Sequence, residues 1–335
     1  MSSLPGIAAQ FVVCSLVIMW SGVRLSRYGD MIAEKTGLGG TWVGLLLMAA
    51  VTSLPELVTG GSAVLVYHVT DIAAGDAIGS CMFNLVILAL LDFPDSEPLT
   101  TRVHQGHVLT AAFGILQLGL VGLAILAGSR APMIGWVGVH SILFIALYLL
   151  AMRTIFVFER HRLAAVSREL AEQEQYAEVD LRRAVALYAG TASVLVAAAV
   201  YLPGLGDALA KASGLSESFV GSLFVAASTS LPEIMVSIGA VRMGAVDMAA
   251  ANLFGSNLFN VAILGIDDLL YRRGSMLAAV SMSHVATLLT AIMMTAVATA
   301  GLTYRAAKKR YYLSWDAIAI VLLYVIGVAL MHLLG

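Results

Sequence analysis

Long apolar runs of about twenty residues, separated by short polar stretches, set the rhythm of this 335-residue chain. Crossing roughly 30 Å of hydrocarbon takes about 20 mostly apolar residues in a helix. Ten runs meet that requirement, near 6–23, 39–66, 72–91, 106–127, 132–151, 184–203, 215–240, 247–270, 277–301 and 315–334. They are continuous and do not alternate, which predicts helices and not the strands of a membrane barrel. The opening run has neither a basic leader nor an A-x-A cleavage signal, so it reads as a retained first span. One stretch breaks the rhythm. Residues 153–183 hold Arg153, Arg160, Arg162, Arg168, Arg182 and Arg183 among six acidic residues, with pairs at helical spacing such as Glu178–Arg182. This reads as an amphipathic or exposed helical linker. The expected organisation is a five-helix unit over 1–152, a charged linker over 153–183 and a second five-helix unit over 184–335.

Composition agrees with that picture. Hydrophobic residues make up 60% of the chain and charged residues 12%, about half the charge a soluble domain carries. A water-soluble core and a disordered chain are both excluded. The expected fold class is an all-α polytopic membrane protein of ten transmembrane helices. A formal net charge of -2 gives no footing for nucleic acid. Cys14 and Cys81 are isolated in apolar runs and form no disulfide framework. With the N-terminus placed outside, 15 of the 19 basic residues fall in inside loops, leaving Arg130, Lys211, Arg272 and Arg273 outside. The positive-inside bias therefore predicts a cytoplasmic 153–183 linker in a cell (inner) membrane.

Self-comparison adds chemistry. AVTSLPELVTG at 50–60 matches ASTSLPEIMVS at 227–237, with TSLPE identical. DIAAGDAIGSCMFNL at 71–85 matches DMAAANLFGSNLFNV at 247–261 at seven of fifteen positions, and the two offsets are 177 and 176. Each unit has an odd number of spans, so the second copy must cross in the opposite sense. That is the inverted-topology plan of many secondary transporters.

The duplicated residues suit a site at mid-membrane. Pro55 and Pro232 predict breaks in their helices. Thr52, Ser53, Thr229 and Ser230 precede them, and a carboxylate, Glu56 or Glu233, follows each. A charge at mid-membrane costs at least about 2.5 kcal/mol on insertion scales and calls for a partner or a polar cavity. Asp76, Ser80 and Asn84 share one helix face, and Asn252, Ser256 and Asn260 repeat that stripe. Gly75, Gly79 and Gly255 are expected to allow close helix approach. Asp71 and Asp247, where each helix starts, are expected to act as helix caps. Oxygen ligands of this kind suit Ca²⁺, Mg²⁺, Na⁺ or protons. The seven histidines show no metal-ligand spacing; His68 is expected to end a span and His284 to be a secondary polar contact. No nucleotide loop, HExxH, nucleophile triad or haem signature is present, so a transporter is expected, with a cation/proton antiporter carrying Na⁺, K⁺ or Mg²⁺ on the same fold as the alternative, a channel as the other class, and no enzyme.

TSLPE with GSCMFN in the first half, and TSLPE with GSNLFN in the second, resemble the calcium/cation antiporter superfamily, which includes the sodium/calcium exchangers. The resemblance covers all ten spans in order. It implies two repeats that alternately open a central site, exchanging Ca²⁺ against Na⁺, K⁺ or H⁺ as substrates and needing no cofactor. It implies Glu56 and Glu233 as central carboxylates, with Thr52 and Thr229 adding oxygens to the same site. Ser53, Ser230, Ser80 and Ser256 would line flanking sodium sites, and Asn84 would be the central polar residue of the third span. The chain departs from the familiar exchanger pattern at two positions: Asn260 stands where Asp is found, and Asp76 where Asn usually follows Gly. The expected consequence of Asp76 is altered proton coupling or altered occupancy of one flanking site. The expected partners are inorganic cations and the lipid bilayer, and a monomer is compatible with the sequence.

Overall fold

A computed structural model of the chain describes residues 3–36, 51–93, 96–172, 180–306, 308–309 and 312–334, with backbone alone over 160–172. The first helix, α1 (Leu4–Thr36), is 33 residues long, about 50 Å at 1.5 Å per residue. After it come α2 (Leu54–Ser62), prolonged by a π-turn at Ala63–Tyr67, then α3 (Thr70–Leu90), a short α4 (Leu99–Arg102), α5 (His107–Ala127) and α6 (Val139–Glu172). The second half runs α7 (Leu181–Ser213), α8 (Glu217–Val220), a π-segment at Gly221–Val225, α9 (Ala226–Thr229), α10 (Leu231–Arg242), α11 (Val246–Leu270), α12 (His284–Tyr304) and α13 (Trp315–Leu334). Eight of these helices are long and apolar enough to cross a membrane, and the bent pair Glu217–Thr229 and Leu231–Arg242 makes a ninth. Leu54–Tyr67 falls in the second apolar run, whose described part begins at residue 51 and whose residues 39–50 lie outside the described ones.

The repeat reaches well beyond the matched motifs. Leu4, Leu54, Thr70, His107 and Val139 start five helices of the first half, and Leu181, Leu231, Val246, His284 and Trp315 start their counterparts. Every one of these five pairs keeps the offset of the sequence motifs to within a single position. Helices α3 and α11 lie at the centre and are the most buried spans, whereas less than half of α1, α6, α7 and α13 is covered. They cross where Asn257 Nδ2 donates to the Cys81 carbonyl at 3.1 Å. Cys81 and Asn257 stand at the repeat offset from one another, so the pseudo-two-fold axis passes through this contact.

The proline expectation holds in both halves. Ser53 is a turn between helical residues, and Pro55 opens α2 within its first two positions, where a missing N–H costs nothing. In the second half the chain bends by 43° at Ser230, with Pro232 opening α10. Close packing through glycine also appears in α3. A Cβ on Gly75 would lie 2.8 Å from Ser222 N, and one on Gly79 would overlap the backbone of Ser222, so α3 and the π-segment touch backbone to backbone. Gly255 has no described neighbour within 4 Å; Gly44 and Leu45, the counterparts of Gly221 and Ser222, lie outside the described residues.

Several boundaries differ from the apolar runs: α1 extends to Thr36 and α7 to Ser213, well past 23 and 203. Residues 132–138 are a small hairpin, Met133–Ile134 against Val137–Gly138, with Gly135 at φ 65° in the turn, so the fifth span begins at Val139. The ninth begins at His284, after a 3-10 turn at Met276–Ala278. Helix α6 runs without a break from the fifth span through Glu172, so the linker expected from residue 153 begins inside a helix.

Candidate functional site

The two broken helices and the two central helices deliver their polar side chains to one place. Ser53, Thr229, Ser230, Glu233 and Ser80 have no exposed surface, and Glu56, Asp76, Asn84, Ser256 and Asn260 are almost as deeply buried. Thr52 also lies at the edge of the buried set. Contacts cross the repeats. Ser230 Oγ lies 3.3 Å from Glu56 Oε1 and donates to Ser80 Oγ at 3.0 Å. Thr229 Oγ1 donates to Asp76 Oδ1 at 2.7 Å. Asn84 Nδ2 donates to Asn257 Oδ1 at 3.0 Å. Hydroxyls of the second repeat thus meet carboxylates of the first, which requires the two halves to be docked before the site exists.

What these contacts leave over is chemically telling. Among the described residues, Glu56 Oε2, Asp76 Oδ2, Asn84 Oδ1, both carboxylate oxygens of Glu233, both amide atoms of Asn260 and the hydroxyls of Ser53 and Ser256 are buried without a hydrogen-bond partner. Buried polar groups are normally paired, because an unpaired one costs roughly 1–3 kcal/mol. So many acceptors in one locus have the character of a cation site. The carboxylates of Glu56, Glu233 and Asp76 repel one another, which a shared cation would relieve. Yet among the described residues no three His, Cys, Asp or Glu side chains are spaced as a metal cage. An ion here must draw on hydroxyl and amide oxygens as well, a looser set that permits release.

A sodium/calcium exchanger family model matches residues 6–157 and 183–333, leaving out little beyond the charged linker. The chain belongs to the sodium/calcium exchanger family. This makes it a multi-pass membrane transporter with the family's paired repeats. It is 29% identical to the inner membrane protein YrbG of Escherichia coli over 240 residues, 70% of each chain. It is 25% identical over 237 residues to an uncharacterized membrane protein of Methanocaldococcus jannaschii, covering 69% of this chain and 71% of that one. Among solved structures the fold matches an H⁺/Ca²⁺ exchanger, CAX, with a TM-score of 0.73, 16% identity, and coverage of 100% of this chain and 85% of that one. The sodium-calcium exchanger NCX_Mj matches with a TM-score of 0.62, 19% identity, and coverage of 97% and 99%.

In this member of the family Asp71 and Asp247 do not cap their own helices, contrary to expectation: Val69 and Ala245 hold the cap positions, without side-chain bonds. Asp71 Oδ1 accepts from Ser281 N at 2.6 Å and meets His284 Nε2 at 3.0 Å. Asp247 Oδ1 accepts from His104 N at 2.6 Å and lies 3.4 Å from His107 Nε2. His104 and Ser281, like His107 and His284, are counterparts at the repeat offset, so these are two copies of one clasp. Each ties the start of a central helix to the start of a peripheral one. Their signal in the sequence is that shared offset, which separates His107 from His284.

Proposed function

We propose that this chain is a secondary active antiporter that exchanges Ca²⁺ against Na⁺ or H⁺ by alternating access. The observation that carries this reading is the pair Glu56 and Glu233, one from each broken helix, buried with three of their four carboxylate oxygens unpartnered among the described residues. Two glutamates balance one divalent ion. An empty pair would be costly to move through a dry barrier, so either Ca²⁺ or its counter-ions must occupy it at each crossing. Competition for the same oxygens is then the coupling. Thr52 and Thr229 add oxygens to the central ion, Ser53, Ser230, Ser80 and Ser256 serve flanking monovalent positions, and Asn84 and Asn260 complete the polar belt. Likeness to both an H⁺/Ca²⁺ exchanger and a sodium-calcium exchanger supports Ca²⁺ as the shared cargo. A proton as counter-ion has its own support in Asp76, a third buried carboxylate at the site. The arginines of the 153–183 segment support a cytoplasmic side for it in the cell membrane, and labelling of cysteines introduced at 160–175 only from outside would reverse that.

The deciding experiment is uptake of radioactive Ca²⁺ into proteoliposomes under separately imposed Na⁺, K⁺ and pH gradients. Stimulation by one gradient identifies the counter-ion. Ca²⁺ flux that survives alanine at both Glu56 and Glu233 would overturn the site, and no uptake under any gradient would shift the cargo to another cation.

A further inference from the structure

Helix α11 ends in two adjacent carboxylates that do different work. Asp268 is a structural post: its oxygens accept from Gly138 N at 2.9 Å, Ser141 Oγ at 2.6 Å and Met276 N at 2.5 Å. Its counterpart in the first repeat, Asp92, is used in the same way, accepting from Leu99 N at 2.6 Å and Ser314 N at 2.7 Å. Asp267 has no such counterpart; the matching residue is the buried Leu91. Asp267 is itself fully buried, and among the described residues neither of its oxygens has a hydrogen-bond partner. Its carboxylate lies against α2, where a Cβ on Gly60 would overlap Oδ2. Any residue but glycine at position 60 would displace it.

Position gives this carboxylate its meaning. Gly60 is one turn beyond Glu56 on the same face of α2, and Asp267 is two turns beyond Asn260 on the same face of α11. Asp267 therefore forms the next layer after the central site, toward the end where α2 passes into α3. An ionised carboxylate held there without a partner carries a heavy desolvation cost. A metal ion would need about six oxygens, and no metal-spaced cluster is present among the described residues. One proton on Oδ2 neutralises the group and needs no cage.

We propose that Asp267 is a proton-binding station, present in the second repeat alone, that gains and loses one proton in the transport cycle. It repels the carboxylates of Asp268 and, from α3, Asp76, both of the same sign as an ionised Asp267. Among the described residues, the other titratable side chains on the elements packed around α11 are Glu56 on α2, Tyr67 on the π-turn, Asp71 and Cys81 on α3, Arg102 on α4, His107 on α5, His140, Tyr148, Arg153 and Glu159 on α6, and Glu233 and Arg242 on α10. The inference extends the proposed exchange but does not depend on it for its first test.

That test is infrared difference spectroscopy of the full-length protein in lipid nanodiscs, stepped through pH without any Ca²⁺. A carboxyl C=O band should appear on acidification, vanish in D267N, and persist in G60A with its midpoint moved by about one pH unit or more, because the displaced group meets a different environment. The second arm is Ca²⁺ uptake driven by a pH gradient, whose rate should fall about tenfold in D267N, equivalent to a barrier about 1.4 kcal/mol higher. A band set identical in wild type and D267N, or a carboxyl that stays protonated across the whole range, would overturn the station. Absence of Ca²⁺ flux in the wild type would count against the proposed exchange alone, since the infrared bands decide on Asp267 without transport.

Discussion

Asp76 shows how much a single side chain can be asked to do. Its Oδ1 accepts the Thr229 hydroxyl proton at 2.7 Å while Oδ2 has no partner among the described residues. Asparagine at 76 keeps an acceptor for Thr229 and removes the charge, so D76N should fold normally and change ion dependence. We expect its apparent Ca²⁺ affinity to move about tenfold, the effect of roughly 1.4 kcal/mol, together with a flatter pH profile. Uptake that matches wild type in rate, ion dependence and pH profile would rule out a charge role. T229A differs in kind. It strands a buried acceptor and should cost about 1–3 kcal/mol of stability, read as a lower unfolding temperature in detergent. The central residues are legible in the sequence because duplication marks them: TSLPE and the G-S-x-x-x-N stripe occur twice, at offsets of 177 and 176. Asp267 is not, since comparing the halves finds only what both halves share, and its counterpart is Leu91.

Helix breaks are the most readable elements, because proline removes a donor whatever its surroundings, and both breaks fall just before Pro55 and Pro232. Helix starts are less so. Apolar side chains at Met133, Ile134, Trp136 and Val137 extend the hydropathy of the fifth span, but Pro132 and Gly135 turn the backbone into a hairpin there. Hydropathy reports what a segment can sit beside, not which backbone it adopts. Packing between elements makes sharper claims. G79A should destabilise by about 1–3 kcal/mol, since the added Cβ meets the Ser222 backbone, which cannot swing aside. G122A on α5 has nothing within 4 Å and should be neutral or stabilising by up to about 1 kcal/mol, helix propensity being its one consequence. Equal unfolding temperatures for the two variants would refute this reading of the α3 contact. The clasps rank in the same way. D71A and D247A each free one backbone N–H, that of Ser281 or His104, but D71A also strands a fully buried His284 held at 3.0 Å, whereas Asp247 reaches His107 over a longer 3.4 Å and is more exposed. Loss of stability should therefore be larger for D71A than for D247A, and the reverse order would refute the ranking.

At the scale of the whole molecule, the five starting residues of each half recur at one offset, and the axis relating them passes through Cys81 and Asn257. Under the proposed exchange, that symmetry gives two end states, each the other with the repeats exchanged, so that one site can serve both sides. The long helices α1 and α7 are the candidates for the moving part. They are counterparts of 33 residues each, lie against one another, and are mostly uncovered, while α3 and α11 fill the centre. The joint between the two parts can be addressed directly. Ser15 on α1 donates to Ser228 on α9 at 2.7 Å. Cysteines at both positions need only a slight rotation to reach disulfide bonding distance, about 2 Å between the sulfurs. With Cys14 replaced by serine to prevent exchange, oxidised S15C/S228C protein should lose its cation flux, and reduction should restore it. A flexible cross-link between Q10C and Y201C, which joins α1 to α7 where the Tyr201 hydroxyl now meets Gln10 at 3.4 Å, should leave flux intact. Both cross-links tie down α1, so a general loss of mobility would silence both proteins. Silence in the first alone locates the moving joint between the α1–α7 pair and the broken helices; undiminished flux through the oxidised S15C/S228C protein would place it elsewhere.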